Sequence, residues 1–275
     1  LNTLSSAGGT VDVVAEQKDQ AVTLTLTANG EKVEKVPGGV TLAVPAENAG
    51  PGTVAVLVRE DGTRETIRKS TVEDGKVNIP LDGSATVEIV DNSKSFADVP
   101  PDNWASDAVA FASARELFNG TSETTFSPDQ DMSRGMLAAV LYSLEGRPEQ
   151  NLTMQDLESG YSDVNGNAWY AEGVAWAAEN GIVNGYGNGQ IGPSDSGTRE
   201  QFVVMLWKYA GSPEAGDQVL TFTDADQASG YALEALRWAV EKGILSGYSN
   251  GQLTPGGTAT RAQAAQMLKN FMENT

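Results

Sequence analysis

The sequence predicts an α+β multidomain chain: an N-terminal all-β, sandwich-like module, then three all-α helix–loop–helix repeats. Three observations predict it. Residues 1–95 hold short Val- and Thr-rich runs broken by Asp-Gly pairs. From residue 96 onward, one stretch, residues 161–211, is nearly repeated upstream at 96–146 and downstream at 222–275. All five tryptophans fall within these repeats. A single helix–loop–helix unit cannot bury its own apolar faces, so the copies must pack on one another. Closed packing around a shared axis and a short solenoid both meet that need.

Length and charge bound the rest. A chain of 275 residues fits about two domains. Eighteen Lys and Arg against 37 Asp and Glu leave a net charge of −19, which argues against nucleic acid and against an anionic membrane surface. No apolar run approaches the ~20 residues of a membrane-spanning helix. No secretory leader is visible and residue 1 is Leu rather than Met, so the chain reads as an excised fragment. The absence of Cys and His excludes thiol nucleophiles, disulfides, the usual zinc sites and Ser-His-Asp triads. No metal site, cofactor or catalytic residue is assigned.

Within residues 1–95, strands are expected at 11–14, 22–27, 40–44, 54–58, 65–67, 76–79 and 85–90. The alternation at 22–27 places Val22, Leu24 and Leu26 on one face, the mark of a half-buried strand. Asp61-Gly62 and Asp74-Gly75 lie between such runs, where residues tolerant of positive φ close hairpins. Short strands at this spacing suggest a small antiparallel sandwich. Arg59, Arg64, Arg68 and Lys69 read as a solvated strand face.

The repeats share one frame. An aromatic-x-Asp opens each: Phe96/Asp98, Tyr161/Asp163, Phe222/Asp224. A second aromatic follows at Trp104, Trp169 and Tyr231, and then an amphipathic segment carrying Phe111, Trp176 or Trp238. In copies two and three it ends in Gly181-Ile182 and Gly243-Ile244, the Schellman pattern. Copy one has Glu116-Leu117 there, so a different cap is expected. A turn follows with Gly120, Gly185 and Gly247, then Pro128, Pro193 and Pro255. These glycines either allow a ligand close to the backbone or merely supply a positive-φ turn. Trp176, Trp207 and Trp238 sit at core positions of helices, whereas Trp104 and Trp169 either stack on a sugar ring or plug the base of a repeat.

Six residues after each proline stands an arginine: Arg134, Arg199, Arg261. Thr198 with Gln201, and Thr260 with Gln263, form capping boxes; Ser133 caps copy one, with Met136 in place of Gln. Capping does not need the arginine, which sits at the positive end of the helix dipole, where a cation is unfavourable by roughly 0.3–1 kcal/mol. Two causes fit: a structural pair with Asp98, Asp163 or Asp224, or an anionic ligand held jointly with free helix N–H groups.

This ordered set, present three times, resembles the S-layer homology family. It comprises the aromatic-x-Asp opening, the Trp, the Gly-Ile-Val-x-Gly turn, the Gly-x-Ile/Leu-x-Pro segment and the Thr-Arg-(Glu/Ala)-Gln helix start. The resemblance covers residues 96–275, and the β-rich segment resembles a module often found just before such repeats. It implies a pseudo-three-fold bundle that docks non-covalently on the bacterial cell wall, outside the cell, with a secondary cell-wall polysaccharide bearing pyruvylated sugars in grooves between repeats. It implies ligand roles for Arg134, Arg199 and Arg261, and for Asp98, Asp163, Asp224, Trp104, Trp169, Tyr231, Gly120, Gly185 and Gly247. Copy one departs from the pattern at Ser-Arg-Gly-Met, where Gly135 weakens the helix start. In copy three the aromatic stands one residue later. Unequal grooves are therefore expected, with the second repeat dominant through Arg199 and Trp169.

The domain reading is a β-rich module at 1–95 and repeats at 96–146, 161–211 and 222–275, with linkers at 147–160 and 212–221. Two other classes compete. A glycoside hydrolase needs two positioned carboxylates, and no motif singles out a pair among 37 acids. A calcium-dependent adhesion module finds only residues 163–167, Asp-Val-Asn-Gly-Asn, which lack the full calcium loop and read as a turn.

Overall fold

A computed structural model describes residues 11–18, 20–217 and 219–275; residues 1–10 of the β-rich module lie outside the described residues. The chain forms two compact units. The first holds the residues up to Ser95 together with Ala110–Asn119; the second holds Phe96–Val109 and Gly120–Thr275.

In the first unit the described residues form nine strands, all paired antiparallel: β1 (Val11–Lys18), β2 (Ala21–Ala28), β3 (Glu31–Lys32), β4 (Val40–Pro45), β5 (Thr53–Val58), β6 (Arg64–Ile67), β7 (Thr71–Glu73), β8 (Lys76–Leu81) and β9 (Ala85–Asp91). One sheet runs β1-β2-β9-β5-β6, with β3 added to β2, and the other runs β4-β8-β7. Val22, Leu24 and Leu26 point inward from β2 as the alternation requires, and pack with Val44, Val77 and Ile79 of the second sheet. Both residues of the β7–β8 turn, Asp74 and Gly75, take positive φ, 48° and 72°, as a tight hairpin demands. The surface arginines are paired with acids: Arg59 with Glu65 at 2.6 Å, Arg64 with Glu88, and Arg68 with Glu116 at 3.3 Å.

Arg115 is fully buried in this unit. Its Nε donates to the Ser70 carbonyl at 2.8 Å, and its Nη atoms donate to the carbonyls of Pro51, Thr53 and Phe111. Glu116 beside it takes a left-handed φ of 57°. The Leu117 amide bonds the Ala112 carbonyl at 3.0 Å, as Ile182 bonds Ala177 and Ile244 bonds Ala239. Copy one thus keeps the cap geometry of the glycine copies, contrary to expectation. Its glutamate carries the strain, while its carboxylate accepts from Thr66 and Arg68.

The repeats supply seven helices among the described residues: α1 (Ser106–Ala114), α2 (Arg134–Leu144), α3 (Met154–Gly160), α4 (Ala171–Glu179), α5 (Arg199–Tyr209), α6 (Leu233–Glu241) and α7 (Arg261–Asn274). Helix α3 lies within the 147–160 linker and starts from a Thr153 cap. Capping boxes open α2, α5 and α7; in α2 the Met136 sulfur takes the place of the glutamine oxygen. Buried side chains include Leu137, Leu141, Val174, Phe202, Leu236 and Leu268. A run of rings, Tyr142–Trp176–Tyr209–Phe271–Trp238, links the helices at centroid spacings of 5.7 to 6.2 Å. Trp207, expected in the core, is only half-buried; its indole N–H donates to the Pro213 carbonyl at 2.8 Å.

Backbone bonds tie the three repeats in a cycle. The Met132 amide donates to Ala259, Ala259 to Gly197, and Gly197 back to Met132, each at 2.9 Å. Two residues on, the cycle runs in the opposite sense: the Arg134, Arg199 and Arg261 amides reach the carbonyls of Asp195, Gly257 and Gln130. The following amides, of Gly135, Glu200 and Ala262, reach those of Pro193, Pro255 and Pro128. Each second helix is therefore capped by the proline loop of another repeat. At Gly135 an added Cβ would lie 2.7 Å from the Pro193 carbonyl oxygen and 3.3 Å from the Tyr170 ring, so the glycine that weakens the helix start is what lets these two segments meet.

Candidate functional site

The recurrent arginines are where the sequence places the site, and the fold first gives them a structural task. Arg134 donates through Nε to the Ile191 carbonyl at 3.1 Å and through Nη2 to Asn184 at 2.9 Å. Arg199 reaches Leu253 and Ser246 in the same way, both at 2.9 Å, and the Nε of Arg261 reaches Phe126 at 2.9 Å. All three are buried, at 5 to 8% exposure. Each arginine thus crosses from its own repeat into the loop of the next. The first helix amides are occupied by carbonyls rather than free, and the guanidinium groups donate to loop carbonyls, with the carboxylates of Asp224 and Asp98 acting by charge on Arg199 and Arg261. Burial lowers the pKa of Arg199 and of Arg261, opposed by Tyr248 and Asp224 around the first and by Asp98 near the second.

The recurrent aspartates hold those loops from within their own repeats. Asp98 accepts from the amides of Phe126 and Ser127 at 2.8 and 2.7 Å, Asp163 from Ile191 and Gly192 at 3.0 and 2.8 Å, and Asp224 from Leu253 and Thr254 at 2.8 and 2.9 Å. For Asp224 the Leu253 amide is the main cause of a carboxyl held below the usual carboxylate range. For Asp98 burial pushes upward, but the two amides and Arg261 together outweigh it and the group also sits low.

Gly120, Gly185 and Gly247 do not take positive φ. What excludes a side chain is backbone carbonyls together with the opening aromatic of the same repeat: a Cβ would lie 2.3 Å from the Ser122 carbonyl oxygen and 2.7 Å from the ring of Phe96 at Gly120, 2.7 Å from Tyr161 at Gly185 and 2.4 Å from Phe222 at Gly247.

Two cavities lie where the repeats meet. One, of about 600 Å³, is lined by Arg134 of repeat 1, by Gly185, Tyr186, Gln201 and Lys208 of repeat 2, and by Tyr231 of repeat 3. The other, of about 420 Å³, follows the same cyclic rule: Arg199 of repeat 2, Gly247, Tyr248, Gln263 and Asn270 of repeat 3, and Trp104 of repeat 1. Trp104, Trp169 and Tyr231 are the exposed aromatics of the frame, at 63, 68 and 58%. Arg199 shares its cavity with Trp104 rather than with Trp169. Tyr231, which stands one residue late in the frame, donates its hydroxyl to Glu200 at 3.2 Å.

Tyr186 and Tyr248 were not singled out from sequence. Their rings lie under Arg134 and Arg199, with the guanidinium carbon 4.9 and 4.8 Å from the ring centre, a cation–π distance. The signal was present: Gly-Tyr recurs at both places, and copy one has Gly120-Thr121 instead. Lys208 and the lining role of Gln201 and Gln263 also went unread, because the glutamines were already accounted for as caps.

Comparison with known proteins places these elements in context. The S-layer homology domain matches residues 95–135, 160–203 and 221–265. An amylopullulanase of Thermoanaerobacterium thermosulfurigenes is 27% identical over 88% of this chain and 13% of its own length, a span wider than the repeats alone. The exoglucanase XynX of Acetivibrio thermocellus is 27% identical over 68% of the chain and 17% of its own. The S-layer protein sap of Bacillus anthracis is 27% identical over 64% and 21%. The chain therefore spans about a fifth or less of the length of these relatives.

Proposed function

The three repeats are S-layer homology domains, and on that premise we propose that this chain anchors a surface protein non-covalently to the bacterial cell wall, outside the cell, without catalysis of its own. The ligand is an anionic secondary cell-wall polysaccharide, of the pyruvylated kind, seated in the grooves between repeats. The repeats form a closed, pseudo-three-fold bundle; the cyclic order of the backbone bonds and of the arginine contacts supports this over an open solenoid, which would leave its end repeats unjoined. The module at 1–95 and the repeats at 96–146, 161–211 and 222–275 are the working domains.

One observation carries the reading. Each cavity combines an arginine from one repeat, a Gly-Tyr loop and helix from another, and an exposed aromatic from the third. Exposed aromatic faces stack on sugar rings, and an arginine at the back of a groove complements an acidic substituent. The same rule assigns Arg261, Gly120 and Trp169 to a third groove. The aspartates act through the loops that they hold, and the glycines by keeping those loops close to the opening ring.

Sedimentation with purified walls tests this. The chain is expected to pellet with intact walls and to stay in solution with walls stripped of the secondary polymer. Replacing Trp104, Trp169 and Tyr231 together by Ala is expected to weaken binding at least tenfold, with little change in melting temperature. Equal binding to stripped walls would make peptidoglycan the ligand and sink the reading.

A further inference from the structure

We propose that the two cavities are chemically unequal: the one lined by Arg134 and Lys208 binds the anionic group of the ligand, and the one lined by Arg199 binds an uncharged sugar unit. This rests on the groove reading above and assigns each groove its chemistry.

Arg134 comes from α2 and Lys208 from α5, so two different repeats bring two cations to one cavity. No Asp or Glu lines it, although the chain has twice as many acids as bases. Among the described residues the Lys208 ammonium has neither an ion-pair nor a hydrogen-bond partner. Two acids at its rim are held by hydrogen bonds: Asp195 accepts the Tyr186 hydroxyl at 2.9 Å, and Glu200 accepts from Ser229 and Tyr231. Burial and the charge of Arg134 both push the Lys208 pKa below the ordinary lysine value. Two like charges in a half-enclosed cavity repel each other, and a carboxylate or phosphate seated between them turns that repulsion into attraction.

The second cavity lacks this pairing. Asn270 stands where repeat 2 has Lys208, Gln266 stands where it has Val204, and the lining holds one cation, Arg199, and one acid, Asp129. The amides are already oriented: Gln263 donates to the Tyr248 hydroxyl at 2.8 Å, and Gln266 to Asn270 at 2.8 Å. Amides and a phenol fixed in this way suit sugar hydroxyls and offer no net charge to an anion.

The test uses the whole chain and three preparations of wall: untreated, carbodiimide-amidated to block carboxylates, and hydrofluoric-acid-treated to remove phosphodiesters. Lys208→Asn is expected to weaken binding to untreated walls about tenfold, the loss of one charge-assisted contact, and to flatten its dependence on NaCl. Lys208→Arg is expected to restore both. On walls whose recognised anion has been removed, Lys208→Asn is expected to match the parent, and the treatment that produces this match tells carboxylate from phosphate. Asn270→Ala is expected to weaken binding without altering the salt dependence. If Trp104→Ala and Tyr231→Ala weaken binding while Lys208→Asn changes neither affinity nor salt dependence, the charge assignment is overturned and the groove reading stands. If none of these variants changes binding, both fall.

Discussion

Replacing Arg199 by Ala separates stitching from ligand binding. The side chain is 5% exposed and serves the carbonyls of Leu253 and Ser246. Its removal leaves both acceptors without a partner, at about 2 kcal/mol each. Loss of the contact with the Tyr248 ring adds about 0.5–1 kcal/mol, and removing a cation from a helix N-terminus returns about 0.5 kcal/mol. The net expectation is destabilisation by about 4 kcal/mol. With a urea slope of about 2 kcal/mol/M, the midpoint falls by about 2 M. Tryptophan fluorescence is the assay, because all five tryptophans lie in the repeats and the signal reports their unfolding alone. A midpoint within about 0.25 M of the parent, with wall binding lost, would show that the arginine serves the ligand and does not hold the repeats together.

Further expectations follow from the same geometry. Gly247→Ala forces a Cβ to within 2.4 Å of the Phe222 ring and 2.8 Å of the Gln252 carbonyl oxygen, so overpacking is expected to cost about 1–3 kcal/mol in the same urea titration. Gly243→Ala meets no comparable clash but has a φ of 66°; a loss of about 1 kcal/mol is expected by calorimetry. The carboxyls of Asp98 and Asp224 have pKa values lowered by folding. Their contribution is therefore fully present above the unfolded value of about 4 and is lost as pH falls through the lower, folded one. Urea midpoints at pH 7 and pH 3 check this: Asp98→Asn with Asp224→Asn should start lower at pH 7 and lose less on acidification.

The cyclic construction has a consequence for the cavities. Every loop that borders a groove is held from two sides, by an aspartate of its own repeat and an arginine of another. A groove wall made in this way is pre-organised, and little ordering cost remains to be met when a ligand binds.

Much of the architecture follows from local text. The alternation at Val22, Leu24 and Leu26, the positive-φ pairs at Asp74-Gly75 and the Thr/Gln capping boxes each act over a few residues, so spacing alone reveals them. The three-fold recurrence of aromatic, glycine, proline and arginine marks the segments that meet around the cavities. Partner choice was not legible. Arg199 meets Ser246 and Leu253 some 50 residues away, and nothing in Thr-Arg-Glu-Gln distinguishes a carbonyl from a carboxylate as its acceptor. Glu116 defied its own propensity because the fold around copy one fixes the backbone there. Trp104 joined Arg199, and Lys208 joined Arg134, because contacts between repeats bring residues from three segments to each cavity. The sequence by itself determined which residues recur and which elements they start and end. Tertiary structure decided which of them meet, since long-range packing, and no local rule, sets the acceptor of each buried donor.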